Sequence, residues 1–334
     1  MAETNYNIKS APRIALLADF HNGDPELIIA SLDRHKDNLD LIAIAGDLIY
    51  GAHPEDDKSP LDTQENVLKL LSSCASIAPT YMGLGNHEWM LNESDLDSIT
   101  STGVVVLDNE WIETDIKTHD NKPVIIGGLT SGHVLEYRKF IEELKAVADG
   151  TLSPGETHLL SPSVTPQEAR ERLLSAYPKR HPSDFQKPDR KAVRGAGRHD
   201  HDHRSFPSVS WLERFSRLSG YKVLLSHHPE YYDLIDSVHV DPEAPAEPTT
   251  PAAPVAQEAP TAPSLPAVDL LLCGHTHGGQ WRLFNRGLFA PGQGSFPKYS
   301  KGVYGRMVIS AGLTNTTWVP RINNPTEIVY INCP

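Results

Sequence analysis

The chain has 334 residues, of which 39% are hydrophobic, and a formal net charge of −13. That length and apolar content allow a sizeable core, while the acidic balance argues against nucleic acid as a partner. Three widely spaced cysteines, Cys74, Cys273 and Cys333, argue against a disulfide framework and suit a reducing, cytoplasmic setting.

The N-terminal MAETNYNIKS has no apolar h-region, so no signal peptide is expected. No apolar run approaches the roughly 20 residues of a membrane-spanning helix. The first predicted strand is IALLA (14–18), followed at once by Asp19-Phe20-His21. Asp24-Pro25 then opens a helix with Leu27, Ile28, Ser31 and Leu32 at helical spacing. LIAIA (41–45) is a second strand ending in Gly46-Asp47, and residues 62–75 a helix with Val67, Leu68, Leu70 and Leu71 on its apolar stripe. APTYMGL (78–84) leads into Gly85-Asn86-His87-Glu88 and a helix over about 92–100. VVVL (104–107) and VIIGGL (124–129) are predicted to begin a second sheet.

From 131 to 207 the pattern changes to an insertion. EYRKFIEELKAVA (136–148) and TPQEARERLLSAY (165–177) are helical, the latter with Thr165 as N-cap and Pro166 at the first helical position. A basic tract follows, in which Arg198-His-Asp-His-Asp-His-Arg204 reads as a solvated loop rather than a metal site, because no strand fixes its geometry. WLERF (211–215) is helical, and KVLLS (222–226) is a strand ending in His227. Extended backbone would turn the next residue, His228, to the opposite side from His227, which makes it a residue supporting the ligands or one at the surface.

Residues 240–267 are dominated by Pro, Ala, Glu and Thr, a composition that cannot build a packed element and predicts a disordered spacer. VDLLLC (268–273), with Cys273 a small core residue, then delivers Gly274-His275-Thr276-His277. QWRLF, GRMVISAG and TEIVYINC are predicted to close the second sheet. Because motifs fall on both sides of each insertion, the expected organisation is one catalytic domain over 1–334, interrupted at 131–207 and 240–267.

Five buried strands, each ending in polar side chains, predict a common edge where those side chains converge, since open α/β sheets bind ligands at the carboxyl ends of strands. Two carboxylates, one amide and four imidazoles suit a pair of divalent cations such as Zn²⁺, Mn²⁺ or Fe²⁺. Each motif alone is weak, although GHTHGGQ (274–280) is specific; their joint order carries the reading.

That order, Asp19-x-His21, Gly46-Asp47, Gly85-Asn86-His87-Glu88, His227 and Gly274-His275-Thr276-His277, resembles the calcineurin-like metallophosphoesterase superfamily. The resemblance implies a four-layer α/β/β/α sandwich of two mixed β-sheets. It implies Asp47 as a bridge between two metals, with Asp19, His21 and His277 completing one and Asn86, His227 and His275 the other. A hydroxide bridging the two ions would be the nucleophile, His87 would contact phosphate as general acid, and Glu88 would orient its loop. Ser-His-His-Pro-Glu (226–230), the extension Gly-Gly-Gln-Trp-Arg-Leu (278–283) and the C-terminal ISAGLTNTTWVPRINNPTEIVYI (309–331) resemble the bacterial phosphodiesterase-type branch. The expected activity is therefore a phosphodiesterase or pyrophosphatase acting on a small-molecule or lipid-linked phosphate, with peripheral membrane contact left open. A phosphomonoesterase of the same chemistry, a non-catalytic scaffold and a nuclease are the alternatives.

Overall fold

The computed structural model describes residues 1–50, 59–174, 207–236, 268–316 and 320–334. The tract 198–204 and the whole Pro/Ala-rich stretch 240–267 lie outside these residues, so the loop and spacer readings do too.

The strands in chain order are β1 (Ala2–Asn7), β2 (Ile14–Leu17), β3 (Leu41–Ala45), β4 (Thr80–Gly83), β5 (Val105–Leu107), β6 (Glu110–Lys117), β7 (Pro123–Leu129), β8 (Tyr221–Ser226) and β9 (Leu270–Cys273). After them come the two-residue strands β10 (Arg282–Leu283), β11 (Arg286–Gly287), β12 (Phe289–Ala290) and β13 (Gly294–Ser295), then β14 (Gly302–Tyr304), β15 (Met307–Ile309) and β16 (Glu327–Asn332). The helices are α1 (Glu26–His35), α2 (Pro60–Thr63), α3 (Glu65–Ile77), α4 (Glu93–Thr100), α5 (Gly132–Asp149), α6 (Pro166–Leu174), α7 (Leu212–Ser216) and α8 (Tyr232–Asp236).

Two six-stranded mixed sheets carry the core, in the orders β1-β16-β2-β3-β4-β5 and β14-β15-β9-β8-β7-β6. Each has a parallel centre, β2-β3-β4 in one and β7-β8-β9 in the other. Strands of this kind are covered on both faces, which is why they appear in the sequence as unbroken apolar runs. One apolar cluster joins Leu16, Ala43 and Tyr81 of the first sheet to Val223, Leu225 and Leu272 of the second, so the sheets pack face to face. A second cluster lies between the first sheet and its helices, with Ile28, Leu32, Val67, Leu70 and Ile99. A third covers the outer face of the second sheet with Leu212, Phe215 and Ile235. The layers are therefore α/β/β/α, as expected.

Several elements fall elsewhere than predicted. VVVL (104–107) supplies β5, which pairs with β4 at the edge of the first sheet rather than opening the second. TEIVYINC supplies β16, inserted between β1 and β2 of the first sheet. QWRLF forms a short hairpin strand outside both large sheets. The five motif-bearing strands likewise divide between two sheets, three and two, so the meeting place is where two sheet edges face each other. The helix over 92–100 is as expected: Asn92 accepts from Asp95 N at 2.9 Å, and the Asp95 carboxylate accepts from Asn92 N at 3.0 Å. Helices α5 and α6 bury a small apolar cluster of their own around Phe140, Leu144 and Leu160.

Candidate metal centre

At the ends of β2, β3 and β9 the backbone turns sharply. Asp19, His21, Asp47, His275 and His277 all adopt positive φ, between 45° and 70°. Left-handed backbone is unfavourable for such residues and persists only where the surroundings impose it. Glu88 imposes much of it here. Its buried carboxylate accepts from Gly85 N at 2.7 Å and from Asp47 N and Leu48 N at 2.8 Å each, tying the β3 and β4 loops together. Asp47 Oδ1 in turn accepts from His87 N at 2.9 Å. Across the sheet boundary, both oxygens of Asp19 accept from His275 N at 3.1 Å. Only glycine fits at position 46, with φ +81°, because a Cβ there would lie 2.5 Å from Gly85 N.

Around this scaffold the predicted ligands converge. His227 Nε2 lies 3.0 Å from Asp47 Oδ2 and 3.9 Å from Asp19 Oδ1. His21 Nε2 lies 3.9 Å from Asp47 Oδ2 and 4.0 Å from Asp19 Oδ1, and His277 Nε2 lies 3.6 Å from Asp19 Oδ1. The His227 and His275 rings are 5.1 Å apart. Two groups, Asp19-His21-His277 and Asp47-His227-His275, each bring three ligand atoms within 4.8 Å of one another. Asn86 caps the turn over 87–90 and holds its buried Oδ1 with no hydrogen-bond partner among the described residues. His87 Nε2 is 3.9 Å from Asp47 Oδ2, and its side chain is 31% exposed, the most open of the set. His87 is also close enough to His21 and Asp47 for all three to reach one ion.

The buried donors fit divalent cations. His21 Nδ1 faces Ile49 O at 3.0 Å and His227 Nδ1 faces Ala45 O at 2.6 Å, which holds a proton on Nδ1 of each ring and aims Nε2 at the centre. His21 Nε2 is buried without a hydrogen-bond partner among the described residues. His277 differs: Arg321 donates to its Nδ1 at 3.2 Å, which places the proton of the neutral ring on Nε2, so His277 can take an ion only once Arg321 releases Nδ1.

Burial lowers the pKa of His21 to about 4 and of His277 to about 3, and holds His275 well below the usual imidazole range. Neutral imidazole is the metal-binding form. His227 goes the other way. Burial alone would depress it, but the Asp47 and Asp19 carboxylates raise it to about 10. Asp47 would be raised by burial; His227, followed by His87 and His21, reverses this and holds it well below the carboxylate range. Burial also raises Asp19 and Glu88, and the charge of Asp47 adds to both.

In the metal-free protein His227 thus keeps a proton that a cation at its Nε2 must expel. Because that pKa lies above neutrality, metal affinity is expected to rise with pH through the neutral range, by up to about tenfold per unit for one displaced proton. Calorimetry in two buffers of different ionisation heat measures the release. Binding with no proton release would show that His227 is not displaced.

The structure gathers Asp19, His21, Asp47, His87, His227, His275 and His277 in one place, with Asn86 next to His87 in the chain. It also places three others at the centre. His228 is buried beside the ligands rather than at the surface: its Nε2 meets Ser131 Oγ at 2.9 Å and its ring lies 4.1 Å from that of His275. Glu230 Oε1 lies 3.9 Å from His275 Nε2. Arg321, besides contacting His277, donates to Ala311 O at 2.6 Å and to Thr314 O.

A family model described as calcineurin-like phosphoesterase matches residues 12–161, which include Asp19, His21, Asp47, Asn86 and His87. No curated protein matches the chain in sequence. Among solved structures, a Staphylococcus aureus protein assigned as a 5'-nucleotidase, crystallised with alpha-ketoglutarate, is 12% identical with a TM-score of 0.40 over 95% of this chain and 53% of its own. The sulfate thiohydrolase SoxB of Thermus thermophilus, with glycerol, is 10% identical with a TM-score of 0.39 over 92% of this chain and 53% of its own. The chain thus spans about half the length of these structures. The family match covers the first three motifs, and the remaining histidines meet them in space; residues 12–161 are thus similar to the calcineurin-like phosphoesterases.

Proposed function

We propose that the chain is a binuclear phosphodiesterase or pyrophosphatase for a small or lipid-linked phosphate, acting as one catalytic unit over residues 1–334. The observation that carries this reading is the pair of ligand groups, Asp19-His21-His277 and Asp47-His227-His275, with Asp47 Oδ2 of the second 3.9 Å from His21 Nε2 of the first. On this reading Asp19, His21 and His277 hold one ion, Asn86, His227 and His275 hold the other, and Asp47 serves both. The mixture of imidazole, carboxylate and amide donors suits Mn²⁺, Zn²⁺ or Fe²⁺. Two such cations, when bound, polarise phosphoryl oxygens and acidify water.

The protein's own residues do the rest. Glu88 keeps the β3 and β4 loops in register through three backbone N–H groups. His87, open to solvent beside Asp47, is placed to bind phosphate and to give a proton to the departing oxygen. Diester preference is supported by the resemblance of Ser-His-His-Pro-Glu (226–230) to the phosphodiesterase-type branch.

The test compares bis-p-nitrophenyl phosphate with p-nitrophenyl phosphate after chelation and on adding Mn²⁺. Activity should vanish on chelation and return with Mn²⁺, the diester turning over faster. Activity that survives metal removal would sink the metal-dependent reading, and faster monoester turnover would make the enzyme a phosphomonoesterase.

A further inference from the structure

Immediately after the His275–His277 motif the chain forms two small hairpins whose side chains are out of place on a soluble surface. Trp281, Leu283, Phe284, Phe289, Phe296 and Ile322 are all exposed, Phe284 at 91% and Phe296 at 79%. Both of these phenylalanines adopt positive φ, 47° and 57°, which suits Asn or Gly far better than Phe. Backbone bonds knit the segments into one assembly: Leu288 N donates to Trp281 O at 2.8 Å, Phe296 N to Leu288 O at 2.9 Å and Arg282 N to Ile322 O at 2.9 Å. The assembly borders the metal centre, since a Cβ on Gly292 would lie 3.4 Å from His275 Nε2.

Charge points to the same place. In a chain of net charge −13, residues 270–326 contain six Lys or Arg and no Asp or Glu. Lys298, Lys301 and Arg306 pair with Asp233, Glu327 and Asp236, and Arg321 turns to His277, which leaves Arg282 and Arg286 on either side of Phe284. Screening confines each charge to a range of about 8–10 Å, so the local sign governs contact rather than the net charge. Scattered single hydrophobics are ordinary on a protein surface; a cluster of exposed aromatics on adjoining hairpins, with Arg282 and Arg286 beside Phe284, is not.

We infer that this face seats on an anionic lipid bilayer, with the Phe and Trp side chains entering the headgroup boundary and Arg282 and Arg286 meeting lipid phosphates. Trp and Phe favour that interface, and one Lys or Arg near an anionic leaflet adds to the attraction. An acidic protein surface or a second copy would meet the basic charge equally well, but would leave the projecting phenylalanines without a matching cavity. The surface stands on its own observations. It rests on the proposed hydrolysis only in bringing the metal centre to phosphates at a membrane.

The test is flotation of the full chain with vesicles of phosphatidylcholine alone and of phosphatidylcholine mixed with phosphatidylglycerol. Wild type should float with the mixed vesicles and much less with the neutral ones. Phe284→Asn with Phe296→Asn relieves the backbone strain, so folding is kept, and should weaken flotation by at least about tenfold. Arg286→Glu should weaken it several-fold on the anionic vesicles alone. Turnover of bis-p-nitrophenyl phosphate without vesicles should be unchanged in both variants. Failure of that turnover in wild type, with flotation intact, would refute the hydrolase reading and leave the surface standing. The inference is overturned if wild type does not float, or if the double variant floats equally. It is also overturned if the variants instead abolish self-association or single-stranded nucleic acid binding in a protein that ignores vesicles.

Discussion

Asp47→Asn should nearly abolish turnover and lower metal content. The side chain belongs to the group with His227 and His275 and lies beside His21 of the other. Its Oδ2 is 3.0 Å from His227 Nε2 and 3.9 Å from both His21 and His87 Nε2, while Oδ1 accepts from His87 N. Asparagine fills the same volume but exchanges one anionic oxygen for an NH₂ group. The shared negative charge is lost, and a donor is brought up against His227. Altering the outer partners of metal ligands typically costs about 10–100-fold in affinity or activity, and the loss of a shared ligand should exceed that. Elemental analysis after dialysis, beside the turnover of bis-p-nitrophenyl phosphate, reads both effects. Wild-type metal stoichiometry in this variant would show that Asp47 serves neither ion.

How far the sequence reaches depends on what each element leaves behind in it. The runs 14–18, 41–45, 222–226 and 268–273 were legible because β2, β3, β8 and β9 are covered on both faces. Sheet membership was not. The segment at 327–332 reads as a closing strand, yet its place between β1 and β2 rests on pairing with residues more than 300 positions away, and no local pattern encodes that. Strand β1 alternates partly buried with exposed residues, and β6 has mostly polar, exposed positions; neither contains an apolar run to betray it.

The site divides in the same way. Asp19, His21, Asp47, Asn86, His87, His227, His275 and His277 stand in short motifs directly after strands, and strand ends are where chemistry gathers in such sheets. Alternation leaves His228 either beside the ligands or at the surface; it is buried because the chain turns at Pro229 and because Ser131, at the start of α5, closes over its ring. Glu230 and Arg321 belong to no motif with a mechanism of its own. Arg321 reaches His277 from a loop 44 residues away, and only the fold brings them together.

His87→Ala should leave both metals bound while turnover falls by roughly 10²–10⁴, the usual worth of a positioned general acid. Two geometries compete here. His87 could join His21 and Asp47 around one ion, since their ligand atoms lie within 4.8 Å of one another. Alternatively, its partly exposed ring, packed edge-on at 4.7 Å against His21, faces incoming substrate. The variant separates them: a ligand takes metal with it when removed, whereas a proton donor does not. Leaving groups then separate proton donation from phosphate binding. A p-nitrophenolate needs little protonation as it departs, so His87→Ala should cost it less than an alkyl diester, whose alkoxide must be protonated. Equal losses on the two substrates would leave His87 a phosphate-binding role alone, and loss of a metal ion would make it a ligand.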